Sequence, residues 1–378
     1  MKKLLMIPGP SPVDRRIQDE MGRETIAFGD AAFVSDFKEV LAQLKTMFDC
    51  SGEVFVVSGS GTLAMEMAAA NVTKAEDNVL IISHGYFGDR FVEIFEHKRR
   101  NVDVIRSEWG QIVPLEEIKA ALDAKKYAAV IVTHVDTATG VMAPIAEIGK
   151  LVKSYEDTMY IVDGVCASAG IEEKVDAMGI DILLTGSQKA FGVAPGLALV
   201  WASQAAMARR ASLGIIPEYY CDFDKWLPIM HDPSKYFATP PVNMIWALKE
   251  SIAIINEETI EGRYARHIKT AKAMQTALET LGFRILANPD YRAYTLSNVI
   301  YPEGTDDALF RKVLAEEGVQ VAGGLGPYAG KMFRLGHMGN IDAHDMISVM
   351  AAIERTMKRC GMEVTMGAGV AAVQNALV

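Results

Sequence analysis

The 378 residues carry 38 lysines and arginines against 48 aspartates and glutamates, a formal net charge of −10 spread without long blocks of either sign. That balance supports solubility and argues against a nucleic-acid or other polyanion surface, so an anionic ligand needs locally placed cations. Half of the residues are apolar, and the length exceeds what one core ordinarily supports, so two filled domains are expected.

The chain begins MKKLLMIPGPSP. Pro8, Gly9, Pro10 and Pro12 end the short apolar run before it reaches signal-peptide length. They also forbid helix interior or central strand, so residues 1–17 read as an extended arm. A first helix is expected around Val34 to Phe48. Short apolar runs follow at Glu53 to Val57, Asn78 to Ser83, Val102 to Arg106, Ala128 to Thr133, Met159 to Val162, Ile182 to Leu184 and Leu197 to Trp201. Helical stretches separate them at Leu63 to Asn71, Phe87 to Lys98, Leu115 to Ala124 and Ile145 to Ser154. This βαβα rhythm predicts an α/β fold, a mostly parallel central sheet with helices on both faces and ligands at the carboxyl ends of its strands.

Beyond Trp201 the pattern changes. Ile215 to Val242 is irregular and rich in aromatics and proline, and one long amphipathic segment from Asn243 to about Thr280 links two domains. The large domain is expected over residues 18–258 and a smaller C-terminal α+β domain over 259–378. The tail, Gly361 to Val378, is small and apolar without clear periodicity. Cys50, Cys166, Cys221 and Cys360 form no CxxC pair and no metal-ligand spacing, which points to a reducing compartment and to no metal site. No apolar window reaches about eighteen residues, so no membrane helix is expected and the cytoplasm is the expected location.

Four features fall at strand ends. Ser58, Gly59, Ser60, Gly61 and Thr62 follow one strand and precede a helix, where glycines, hydroxyls and a helix N-terminus can cup a phosphate or merely cap the helix. His84 to Gly88 offers an aromatic face for a flat ring, or core packing. Asp163 ends its strand facing the ligand crevice, or caps a helix. Lys189 lies in DILLTGSQKAFGVAPG between two apolar runs, where a buried amine must be paired, deprotonated or covalently used unless it is a solvated loop cation. Together the four meet the needs of pyridoxal 5'-phosphate: a phosphate cup, a stacking ring, an acid for the pyridine nitrogen and an imine-forming amine.

The segments PGPS (Pro8 to Ser11), SGSGT (Ser58 to Thr62), TGSQKA (Thr185 to Ala190) and GGLGPYAGKMFRLG (Gly323 to Gly336) resemble class V aminotransferases of the alanine:glyoxylate and serine:pyruvate group. The resemblance runs nearly end to end. It implies a PLP fold-type I homodimer with the site near the subunit interface. It further implies that Lys189 holds the cofactor aldehyde, Asp163 pairs with the pyridine nitrogen, and Ser60, Gly61, Thr62 and Gln188 hold the phosphate side. Phe87 stands where the family commonly stacks a tryptophan, and Thr137 falls near the ring's phenolic oxygen. Tyr236 and Thr239 resemble residues reaching the partner's phosphate. Arg334, in an apolar strand, suits a bidentate grip on a carboxylate or a structural salt bridge. The resemblance assigns it the substrate α-carboxylate, with Gly9 nearby.

The expected reaction is transamination by a ping-pong cycle from a small L-amino acid, alanine or serine, to glyoxylate or pyruvate. Aspartate, ureidoglycine, an aminophosphonate or pyridoxamine is the alternative donor. A same-fold lyase is disfavoured because Gln188, not histidine, precedes Lys189 and no cysteine sits in a recognisable catalytic loop. A non-catalytic scaffold is disfavoured by the presence of both Lys189 and Asp163. A nicotinamide dehydrogenase is disfavoured because SGSGT lacks the third glycine of the dinucleotide fingerprint. Tyr219, Tyr220 and Tyr328 are candidates for shaping the pocket or, equally, for packing.

Overall fold

The computed structural model describes residues 3–378. The arm contributes a two-residue strand, β1 (Leu4–Leu5), and the βαβα region supplies β2 (Glu53–Gly59), β3 (Asn78–Ser83), β4 (Asn101–Arg106) and β5 (Ala129–Thr133). A small hairpin follows, β6 (Val135–Asp136) with β7 (Val141–Met142), and then β8 (Met159–Asp163), β9 (Ile182–Gly186) and β10 (Gly196–Ala202). Later strands are β11 (Arg284–Ile285), β12 (Leu296–Ile300), β13 (Val319–Gln320), β14 (Ala322–Gly323) and β15 (Met332–Gly336).

Seven strands form the central sheet in the order β2-β10-β9-β8-β5-β3-β4. Every neighbouring pair is parallel except those made by β10, which runs antiparallel to both β2 and β9. The run AVIVT of β5 is buried throughout, as expected where helices cover both faces of a sheet. A second, antiparallel sheet has the order β11-β12-β15-β14 and its own core around Phe283, Phe310, Phe333 and Leu335. The arm bridges the two, because β1 pairs with β13 while Ser11 donates to the Gln188 carbonyl at 2.9 Å.

Four boundaries differ from expectation, each through a local device. Asp14 accepts from Arg16 N and starts a helix, Arg15–Met21, inside the expected arm. Asp30 caps the next one by accepting from Ala32 N, so that helix spans Ala31–Met47. The long linking segment is two helices, Val242–Glu258 and Ile260–Thr280, broken at Thr259, whose φ of 62° leaves the helical region and whose hydroxyl caps Gly262 N. The tail carries a helix, Ala368–Leu377, packed on Ile260–Thr280. Its first turn is anchored by buried Glu354, which accepts from the amides of Gly367, Gly369 and Val370 at 2.7, 2.7 and 3.2 Å. No helix among the described residues is long and apolar enough to cross a membrane.

Candidate active site

The carboxyl ends of β2, β3, β8 and β9, with the hairpin after β5, converge on one cavity of about 130 Å³. Ser60, Gly61, Thr62, Phe87, Thr137, Asp163, Gln188 and Lys189 all line it. Ser58 and Gly59 belong to β2 itself, so the cup is shorter than the motif suggested. Ser60 occupies the N-cap of helix Gly61–Val72, yet its hydroxyl makes no capping bond and is left free for a ligand. Gly61 is required by packing, since a Cβ there would lie 2.9 Å from Val165 Cγ2.

Phe87 sits in the first turn of helix Tyr86–His97. Asp136 holds that turn in place, its Oδ2 accepting from the amides of Phe87 and Gly88 at 2.9 and 3.1 Å. Sequence reasoning missed Arg90, which lines the cavity with its guanidinium carbon 4.8 Å from the Phe87 ring centroid. The signal was there, because residues three apart on a helix are neighbours. His84, in the same motif, plays a different part. It is buried with Nε2 accepting from Val113 N, and burial pushes its pKa down to about 4, so it packs as a neutral ring.

Asp163 is 3 % exposed. Its Oδ1 accepts from Val165 N at 2.9 Å and its Oδ2 from the Thr133 hydroxyl at 3.4 Å. Burial is the main force pushing its pKa up to about 7, with Asp136 and Glu173 adding to the rise and the Val165 amide and Lys189 opposing it. A buried acid this unwilling to ionise gains most from a cation brought directly to it. Thr137 Oγ1 lies 2.8 Å from Cys166 Sγ. The Thr137 and Ala138 carbonyls receive Asn298 Nδ2 from β12 at 3.2 and 2.6 Å.

Lys189 is half-buried in the loop after β9. Its Nζ donates to the Pro8 carbonyl, and the Ser11 hydroxyl donates to the Lys189 carbonyl at 2.6 Å. Gly9 adopts φ +117° directly against the amine, where a Cβ would lie 2.5 Å from Nζ. Gln188 Oε1 is buried without a hydrogen-bond partner. The resulting arrangement is an amine, an acid across the crevice, an anion cup and an orphaned amide oxygen around one space.

Arg334 lies on β15 and, like Gly9, is not among the residues that line the cavity. It is half-buried, Nε donates to the Gly323 carbonyl at 2.7 Å, and no carboxylate among the described residues lies within ion-pair distance. The salt-bridge alternative is therefore absent. Tyr236 and Thr239 are exposed and do not line the cavity. Neither do the three candidate tyrosines. Tyr219 and Tyr220 pack on Phe237, and Tyr328 stacks on Trp109, distant in sequence, with centroids 5.7 Å apart.

The Aminotransferase class-V family model matches residues 21–339. The chain belongs to the class-V aminotransferases. It is 36 % identical over 368 residues to an uncharacterized aminotransferase of Methanocaldococcus jannaschii, covering 96 % of this chain and 95 % of that one. It is 33 % identical to alanine–glyoxylate aminotransferase 1 of Saccharomyces cerevisiae, covering 89 % and 91 % respectively. The crystal structure of ureidoglycine–glyoxylate aminotransferase from Bacillus subtilis superposes with a TM-score of 0.94 at 28 % identity, over 100 % of this chain and 98 % of that one. This class-V aminotransferase is thus an enzyme that transfers amino groups with pyridoxal 5'-phosphate, on the fold-type I scaffold.

Proposed function

We propose that the enzyme moves the amino group of a small L-amino acid, alanine or serine, to glyoxylate or pyruvate, and that the cavity around Lys189 is where it does so. One observation carries the assignment: Asp163, at the end of β8, and Lys189, in the loop after the neighbouring parallel strand β9, line a single space; that Arg334 has no ion-pair partner among the described residues agrees with it. When bound, pyridoxal 5'-phosphate supplies an aldehyde and an electron-withdrawing pyridinium ring that loosens bonds at the amino-acid Cα.

In this reading Lys189 would hold the cofactor aldehyde, and its amine would be the group placed to move the substrate Cα proton. Asp163 would pair with the ring nitrogen and keep it protonated. Ser60, Gly61, Thr62 and Gln188 would hold the phosphate side, Phe87 would stack on the ring, and Thr137 would serve its phenolic oxygen. The Ser60 hydroxyl, which makes no capping bond, supports the phosphate role. Arg334 grips the substrate carboxylate, with Gly9 beside it, and the closeness of the arm to Nζ leaves little room for a large side chain. The relatives named for alanine and ureidoglycine with glyoxylate support that substrate class.

We also propose a homodimer in which Tyr236 and Thr239 serve the partner's phosphate, consistent with both being exposed in the single chain. The four cysteines are unpaired, which supports a reducing compartment such as the cytoplasm. Reconstitution with pyridoxal 5'-phosphate should give an absorbance band near about 420 nm, lost on borohydride treatment with a label on Lys189. A panel of amino acids, scored by loss of that band, should single out alanine or serine. A faster response to aspartate would transfer the assignment to an acidic donor.

A further inference from the structure

A second acid lies behind Asp163. Glu173 is fully buried, with Oε1 2.7 Å from His134 Nδ1 and Oε2 accepting from the Ser168 hydroxyl at 2.5 Å. His134 follows β5, and its backbone amide donates to the Asp163 carbonyl at 2.9 Å. Gly164, the residue after Asp163, packs directly against this group. A Cβ on Gly164 would lie 2.6 Å from Glu173 Oε1 and 2.3 Å from Ser168 Oγ. None of the three side chains lines the cavity, so none touches substrate or cofactor. Their proximity to Asp163 is what needs explaining, since burying an acid without a use is costly.

We propose that Glu173, fixed by His134 and Ser168, is a positioning residue that sets the electrostatic environment of Asp163 and thereby the pH range over which the site holds the cofactor's ring nitrogen. The inference rests on the reading above, in which Asp163 meets that nitrogen. Among the described residues, the charged and titratable groups around Asp163 are Asp136 from the β6–β7 hairpin, Lys189 from the loop after β9, Arg90 from helix Tyr86–His97 and Cys166 across the shared cavity, and the pair Glu173 and His134 behind it. Asp136 is already satisfied by the amides of Phe87, Gly88 and Ala138. Burial comes first in raising the Asp163 pKa, and Asp136 and Glu173 act in the same direction. Removing the Glu173 charge therefore lets Asp163 stay ionised to lower pH, and the ion pair with a protonated ring nitrogen persists there.

The test is equilibrium uptake of pyridoxal 5'-phosphate by the full-length protein across the acid range, for wild type, Glu173→Gln and Glu173→Met. Glutamine preserves the shape of the hydrogen bonds and methionine preserves volume, so one variant stands in should the other fail to fold. The pH midpoint of cofactor loss should fall by about half a unit to one unit in both variants. In an Asp163→Asn background the Glu173 change should move the midpoint no further, because the group it acts on is gone. A midpoint that stays put or rises in both variants overturns the proposal alone. A wild-type protein that takes up no cofactor at any pH overturns the functional reading and this inference together.

Discussion

Arg334 and Asn298 lie directly opposite each other across β15 and β12. Cross-strand partners in register point to the same face of a sheet, so both address the hairpin that carries Thr137. Asn298 uses its amide to hold the Thr137 and Ala138 carbonyls. Arg334 keeps a guanidinium on the same side with one backbone bond and no acid. One residue docks the second sheet onto the first, and its neighbour presents a cation at the junction.

Replacing Arg334 by glutamine should raise the Michaelis constant for carboxylate substrates and lower kcat/KM by about 10- to 100-fold, the worth of a charge-assisted bond of about 1.5–3 kcal/mol. Thermal unfolding should change little, because no ion pair is broken. Steady-state kinetics with two amino acids of different side chain would check this, and an unchanged kcat/KM would remove Arg334 from substrate binding.

Lys189→Ala should abolish turnover and borohydride labelling while leaving the fold intact. Gly9→Ala is the subtler test. The added methyl would fall 2.5 Å from Nζ at a φ of +117°, so both sterics and backbone conformation oppose it. Covalent attachment should be weakened, read as a smaller labelled fraction by mass spectrometry at saturating cofactor.

Asp163 should make the cofactor-free protein's stability pH-dependent. Its pKa is raised from 3.8 to about 7 on folding, so its stabilising contribution is complete below 3.8 and disappears as pH rises through about 7. Above that, an ionised buried carboxylate burdens the fold until a cation reaches it. Urea midpoints of cofactor-free wild type and Asp163→Asn at pH 5 and pH 8 would show it. The difference between the two proteins should move against wild type at the higher pH, and equal differences would contradict the assignment.

Glu354 should matter to the last helix more than to the reaction. It accepts three amides at the start of Ala368–Leu377 while 2 % exposed. Truncating it to alanine would orphan those donors at a cost of about 2–3 kcal/mol and free the tail to proteolysis. Limited digestion should cut the variant near residues 361–367 well before wild type, with kcat nearly preserved.

The strand-end motifs were legible because strands such as β2 and β5 carry continuous apolar runs, VFVV and VIVT, with Gly, Ser or Asp close behind. Direction was not, since an apolar run reads the same either way, and the reversal of β10 is set by its pairing with β2 and β9. The tail helix went unseen because its anchor, Glu354, lies on another helix. Glu172 and Glu173 are alike in sequence, yet only the fold leaves the first exposed and encloses the second completely. Of the two readings open for Tyr219, Tyr220 and Tyr328, packing is the one observed, and the sequence could not choose because ring partners meet only in three dimensions.

Residues 3–12 splint the molecule. They join the second sheet's core through Leu4 and Val319 and through the Gly336 amide bound to the Met6 carbonyl, and a few residues later they are fastened at Lys189. A shift of one core relative to the other would therefore pull on the backbone that holds the Lys189 amine. Cutting that splint would leave the lysine deaf to movement elsewhere in the chain.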